Sequence, residues 1–166
     1  YAHLGVMKAL YEKGIYPDEI SGVSAGALTG VFLAQGEDPE NIFQFFRDKR
    51  IMKTSKLKLP KNGLLNLEGI KRELQDKIGV DKLEDLEKPF FAAISNMSKG
   101  LVEYRDSGPL LDIILASSSI PVLFSPIEMN GDFYSDGGLF DNLPVKPLLD
   151  RCDLIIGIHV NPVNET

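Results

Sequence analysis

The stretch Gly22-Val23-Ser24-Ala25-Gly26, inside "ISGVSAGALTG", constrains this chain more than any other part of it. G-x-S-x-G is the pattern of a strand that turns sharply into a helix and leaves the serine hydroxyl exposed at the bend. Such a turn crowds the backbone, so the positions two before and two after Ser24 must lack bulk, and Gly22 and Gly26 meet that demand. The flanks agree. "IYPDEIS" reads as a loop and a short strand, whereas Ala25 to Gln35 is apolar nearly all round with small residues repeated, as in a helix buried against a sheet. Small residues at this spacing also arise through packing alone, so the chemistry of Ser24 depends on what else the chain supplies.

The rest of the sequence alternates helical and extended patterns. Val6, Met7 and Leu10 sit at helical spacing ahead of Gly14, and Asp38-Pro39 reads as an N-cap with proline at the first helical position, opening a helix with Ile42, Phe43, Phe45 and Phe46. Leu67 to Ile78 is a second amphipathic helix. "KPFFAAISN" and "GLVEYRD" read as strands joined by a turn at Met97 to Gly100. Leu110 to Ala116 is a short apolar helix, and the serines Ser117, Ser118 and Ser119 mark its termination before Pro121. Asn130-Gly131 predicts a tight hairpin between "FSPIEM" and "DFYSD", "VKPLLD" a brief helix, and "DLIIGIHV" a buried parallel strand. The alternation predicts one α/β domain over residues 1–166, three-layered, with a mainly parallel central sheet between helices. No repeat, low-complexity tract or interdomain linker interrupts it.

Charge narrows the partners. A net charge of −6 argues against nucleic acid, which needs a basic surface to replace counterions on phosphate. The basic residues concentrate between Arg47 and Lys61, where seven cations and one acid are interleaved with Ile51, Met52, Leu57 and Leu59, leaving the remainder about twelve charges negative. That segment is either a solvated helix end and loop or an interfacial lid drawn to anionic headgroups. Cys152 is the single cysteine, so it forms no internal disulfide and reads as a small buried residue. No apolar run has the length of a membrane-spanning helix. The chain opens on "YAHLGVMKAL" without an initiator methionine, and a preceding segment is expected; the location expected is the cytoplasm or a membrane surface, with secretion left open.

A serine hydroxyl keeps its proton at neutral pH, so catalysis requires a base within hydrogen-bond reach and donors aimed at the developing oxyanion. His3, on the first helix, reads as a packed or capping residue. Ser24, Asp136 and His159 follow the Ser, Asp, His order of the α/β-hydrolase triad, although His159 falls within a strand-like pattern. The other base is Asp136 itself, in "YSDGGLFDNLP", where Gly137 and Gly138 allow positive backbone angles and close approach of another segment. Asp132, Asp136 and Asp141 lack the alternation of a calcium loop, and no metal is expected.

The pairing of "GVSAGA" with "SDGG", together with "YAHLGVMKAL", "ASSSIPVLFSP" and "DGGLFDNLPV", resembles the patatin-like phospholipase family over nearly the whole chain and in the family's order. The resemblance implies a Ser-Asp dyad with Ser24 as nucleophile and Asp136 as base, without histidine. It also implies a parallel-sheet core between helices and cleavage of acyl esters from phospholipids, lysophospholipids or related lipids, with no metal or organic cofactor. In that family a glycine-rich loop directly before the helix matching "YAHLGVMKAL" supplies much of the oxyanion hole, and the sequence begins just after that point. The backbone N–H of Ala25, at the start of a helix, is a further donor. The alternatives are a Ser24-Asp136-His159 esterase and a catalytically silent lipid-binding relative that lacks the oxyanion loop. Oligomeric state, headgroup and chain length are not legible.

Overall fold

The computed structural model describes residues 1–48 and 68–160. In chain order the elements are α1 (Ala2–Tyr11), β1 (Ile20–Gly22), α2 (Ala25–Ala34), α3 (Pro39–Asp48), α4 (Glu68–Ile78), β2 (Phe90–Asn96), β3 (Leu101–Arg105), α5 (Leu110–Ser117), β4 (Ile127–Met129) and β5 (Asp132–Asp136). Short 3-10 turns follow at Gly137–Leu139 and Lys146–Leu148. Local chemistry sets the boundaries. Asp38 Oδ1 accepts the Glu40 N–H at 2.8 Å, capping α3 in front of Pro39, and Gly14 takes a φ of 72° just beyond α1. Asn130 and Gly131 both have positive φ, at 53° and 83°, as a two-residue turn between β4 and β5 requires. The basic segment of residues 47–61 lies outside the described residues beyond Asp48.

The α/β class holds, with a central sheet flanked by helices, but the sheet is mixed and not mainly parallel. Among the described strands only β1 and β2 pair in parallel; β2–β3, β2–β5 and β4–β5 are antiparallel. The short connections at Met97–Gly100 and Asn130–Gly131 account for β2–β3 and β4–β5, since tight turns can join only antiparallel neighbours. "DLIIGIHV" also departs from expectation. It has no regular secondary structure through Val160 and joins no strand among the described residues, and Leu154 is 76% exposed. The outer edge of β1, on the side away from β2, carries no strand among the described residues. A cavity of about 490 Å³ lies along that edge, lined by Met7, Ile20, Leu33, Leu143, Leu154 and Ile156 among others, and it separates β1 from the segment at 154–158. Cys152 is half-buried at this end of the molecule rather than buried.

Strand β2 is buried along its whole length, and its alternate residues serve two faces. Phe90, Ala92 and Ile94 join one core with residues of all five helices, including Leu4, Phe32, Ile42, Leu74 and Ile114. Phe45 and Phe46 close on Phe32 with ring centroids 5.3 and 5.7 Å away. On the opposite face the guanidinium of Arg151 lies 5.2 Å from the Phe91 ring centroid while its Nε and Nη2 donate to both carboxylate oxygens of Glu19. This fork ties the chain after the last 3-10 turn to the loop that enters β1.

Gly30 sets how closely α2 approaches the sheet. A Cβ at that position would stand 2.7 Å from Phe90 Cε2 and 3.2 Å from Ile20 Cγ2, against a ring that is itself 1% exposed. Gly30→Ala would gain about 1 kcal/mol of helix propensity but lose about 1–3 kcal/mol to overpacking. The expected net result is a lower urea midpoint with an unchanged m-value; a midpoint at or above wild type would show that the Phe90 ring yields.

Candidate active site

Two strand ends converge on the middle of β2. Strand β3 occupies one side of β2 across residues 92–96, so β1, paired to Phe90–Ala92, and β5, paired to Ile94–Asn96, share the other side. They run toward each other. Gly22 ends β1 opposite Ala92 and Asp136 ends β5 opposite Ile94, so only Ala93 separates them. At about 3.3 Å per strand residue the two backbones stop roughly 7 Å apart. The Ser24 turn and the Asp136 turn therefore rise from one point of the sheet.

Ser24 has φ 54° and ψ −123°, a region that only glycine enters freely, and α2 begins at the next residue. This is the sharp strand-to-helix bend that the motif predicts. Gly22 is required there, because a Cβ would meet the Gly26 carbonyl oxygen at 2.7 Å. Gly26 is not similarly confined: its Cβ would have nothing nearer than His3 Nε2 at 4.0 Å. The expectation that both glycines relieve crowding thus holds for Gly22 alone. Ser24 is half-buried, and Ala25 behind it is exposed at the N-terminus of α2.

Asp136 is 6% exposed, and its Oδ1 accepts the Gly138 N–H at 2.8 Å. Gly137 and Gly138 are needed for close approach and not for positive φ, which neither adopts. A Cβ on Gly137 would overlap the Ala93 carbonyl and stand 2.9 Å from Val23 Cγ2, so this turn packs directly against the residue before Ser24. A Cβ on Gly138 would stand 3.0 Å from both Asp136 Oδ1 and Asn142 Oδ1. No hydrogen bond joins Ser24 to Asp136 among the described residues, a common condition before substrate tightens catalytic contacts.

The serine run reaches both turns. Ser117 Oγ accepts the Ser24 N–H at 3.1 Å and donates to the Ala93 carbonyl at 2.8 Å, while Ser118 Oγ donates to the Ser24 carbonyl at 3.4 Å. The Ser119 carbonyl accepts the Asp136 N–H at 3.0 Å and the Ser135 hydroxyl at 2.5 Å. Helix termination, the role read from sequence, is correct but incomplete. Three consecutive hydroxyls entering an apolar stretch signalled buried polar partners, yet those partners lie in distant parts of the chain.

A second brace comes from β3. Tyr104 Oη donates to Asp141 Oδ2 at 2.6 Å, and Asp141 Oδ1 accepts the Leu143 N–H at 3.1 Å. The Asp141 N–H in turn donates to the Gly137 carbonyl at 2.9 Å. Burial, then the bond to Asp141 and its charge, push the Tyr104 phenol up to about 12. The three aspartates weighed as a metal group have separate partners: Asp132 accepts from Lys99 and Asn96, Asp136 from Gly138, and Asp141 from Tyr104 and Leu143. His3 packs beside the first turn of α2, and burial lowers the pKa of its imidazole. His159 is exposed within "DLIIGIHV". The cavity along β1 is lined by Gly22, Val23 and Gly26 but by neither Ser24 nor Asp136, so it adjoins the site from behind without containing it.

A model of the family described as patatin-like phospholipase matches residues 1–149. An uncharacterized NTE family protein of Mycobacterium tuberculosis is 32% identical over 164 residues, covering 97% of this chain and 46% of the relative. A lysophospholipase NTE1 of Candida glabrata is 30% identical over 171 residues, covering 99% of this chain and 10% of the relative. The chain thus spans about half, or far less, of the curated relatives it matches. The crystal structure of VipD from Legionella pneumophila superimposes with a TM-score of 0.62 at 17% identity, over 86% of this chain and 44% of that one, a likeness of fold.

The Tyr104 brace has a pH signature. Its folded pKa, about 12, lies above the ordinary 10.0, so its contribution is fully present below pH 10 and is lost as pH rises toward 12, where the unfolded chain releases the proton first. Wild type should exceed Tyr104→Phe in urea midpoint at pH 8, and the difference should shrink between pH 10 and 12. A difference that stays constant across that window would show that the phenol proton is not part of the brace.

Proposed function

Because the chain belongs to the patatin-like phospholipase family, we propose that it hydrolyses acyl esters of phospholipids, lysophospholipids or related lipids through a Ser24–Asp136 dyad. One observation carries this reading: β1 and β5 end head to head on β2 at Ala93, with the Asp136 turn packed against the Ser24 turn. The printed name of the Candida relative, a lysophospholipase, supports the substrate class.

In this mechanism Ser24 Oγ attacks the ester carbonyl as its proton passes to the Asp136 carboxylate. The carbonyl π pair moves to oxygen, and the Ala25 N–H at the start of α2 stabilises that oxyanion. Collapse expels the alcohol portion of the lipid, which takes the proton from Asp136. Water then attacks the acyl-serine as Asp136 accepts its proton, and collapse breaks the bond to Ser24 Oγ, which takes that proton back from Asp136 as the fatty acid leaves. No metal or organic cofactor enters these steps.

The reading assigns the remaining oxyanion donors to a glycine-rich loop upstream of Tyr1, and the cavity along the free edge of β1 to the strand that would precede it. Contact with an anionic lipid surface through residues 47–61 belongs to the same proposal, on the seven cations and interleaved apolar residues of that segment. The second reading is a catalytically silent lipid-binding relative that lacks the oxyanion loop.

Ser24→Ala should abolish hydrolysis of lysophospholipid and of a short p-nitrophenyl ester while leaving the melting temperature near wild type. Asp136→Asn should lower kcat by about 10³–10⁴, by analogy with the loss of a comparable group from a serine hydrolase. His159→Ala should leave kcat within about twofold. Full turnover in Ser24→Ala would overturn the mechanism, and a folded but inactive His159→Ala would replace the dyad by the triad.

A further inference from the structure

We propose that Ser117 is a positioning residue that holds the Ser24 bend in its reactive conformation, an inference that rests on Ser24 being the nucleophile. Ser117 ends α5 and is wholly inaccessible to solvent, 93 residues along the chain from Ser24. Its hydroxyl is used twice, as acceptor of the Ser24 N–H and as donor to the Ala93 carbonyl. It therefore hangs the nucleophile turn from the one residue of β2 that neither β1 nor β5 pairs.

The local chemistry explains why a holder is needed. A non-glycine residue persists at a φ of 54° only when its surroundings determine it, and Ser24 has no Cβ-free relief. At the entry to a helix the Ser24 N–H also lacks an intrahelical acceptor. Ser117 Oγ supplies one inside the protein, where an unsatisfied N–H is costly. Directed in this way, the Ser24 N–H is drawn toward α5, while the Ala25 N–H stays at the exposed face where an oxyanion would form. Removing the hydroxyl frees the peptide before Ser24 to rotate, and both the Oγ direction and the Ala25 donor move with it.

Ser119 is the internal comparison. It is equally inaccessible, two residues away, but its Oγ donates to Leu115 within the same helix end at 2.7 Å and makes no hydrogen bond to Ser24 among the described residues; its tie to Asp136 runs through its main-chain carbonyl, which an alanine keeps. A role confined to folding predicts similar consequences for losing either hydroxyl. A positioning role separates them.

The test measures, in the full chain, the rate of fluorophosphonate labelling and steady-state hydrolysis of a short soluble ester, beside thermal unfolding. Ser117→Ala is expected to lower kcat and the labelling rate by about 10- to 100-fold with KM within about twofold, the signature of an interaction that matters in the transition state. Ser119→Ala is expected to stay within about threefold. Ser117→Cys keeps the shape of the group but weakens it as an acceptor, so it should fall between wild type and Ser117→Ala; if the alanine variant does not fold, this variant carries the test. Wild-type labelling rates in folded Ser117→Ala or Ser117→Cys, or an equal loss in Ser119→Ala, would overturn the proposal. Label that fails to attach to Ser24 in the wild-type protein would overturn the nucleophile reading and this inference with it.

Discussion

The carbonyl of Ala93 is the point on which the site depends. A strand offers hydrogen bonds on two sides, and β2 gives one of them to β3 without interruption at residues 92–96. The other is divided between β1 and β5, which arrive from opposite directions and stop on either side of Ala93. The division leaves a gap one residue long, and backbone groups in such a gap must find partners elsewhere. Ser117 fills it with a hydroxyl, and Gly137 fits over it because it has no Cβ. A mixed sheet is thus necessary here: two strands whose C-terminal ends meet on one edge of a third cannot both be parallel to it.

From that gap the two turns inherit different kinds of support. The Ser24 bend is conformationally costly and is held by side-chain hydrogen bonds to its own N–H and carbonyl, from Ser117 and Ser118. The Asp136 turn takes an ordinary φ and is held through its backbone N–H, its Oδ1 and the bonds of Asp141. Among the described residues the bond from Gly138 falls on Oδ1, and in the proposed mechanism Oδ2 receives the proton.

What the sequence made legible is what depends on neighbours along the chain. Gly22-Val23-Ser24 announces its bend locally, Asn130-Gly131 its hairpin, and Asp38-Pro39 its cap, and all three stand where expected. Gly22 could be assigned to crowding because the crowding comes from Gly26, four residues on. The role of Gly137 could be read only in outline, since the atoms it approaches belong to Ala93 and Val23. Ser117 and Tyr104 could not be read at all: a serine at a helix end and a tyrosine in a strand have ordinary explanations, and only tertiary structure brings Ser24 and Asp141 to them. "DLIIGIHV" misled for the opposite reason. Its apolar pattern is that of a buried strand, but a strand needs a hydrogen-bonding neighbour, and the cavity stands between it and β1.

That cavity bears on catalysis through geometry. Strand β1 has two edges: the one toward β2 is consumed by pairing with Phe90–Ala92, and the other is free among the described residues. In the proposed mechanism the described residues supply one oxyanion donor, the Ala25 N–H at the start of α2. In serine hydrolases the loss of a single oxyanion donor lowers kcat by about 10²–10³, so one N–H alone would leave most of the electrostatic catalysis unprovided. In the proposed mechanism the difference between an efficient hydrolase and a lipid-binding relative therefore lies less in the Ser24–Asp136 pair than in what fills the edge behind it. An extended segment about 4.8 Å from β1 would bury the apolar lining of the cavity and give the segment at 154–158 a neighbour.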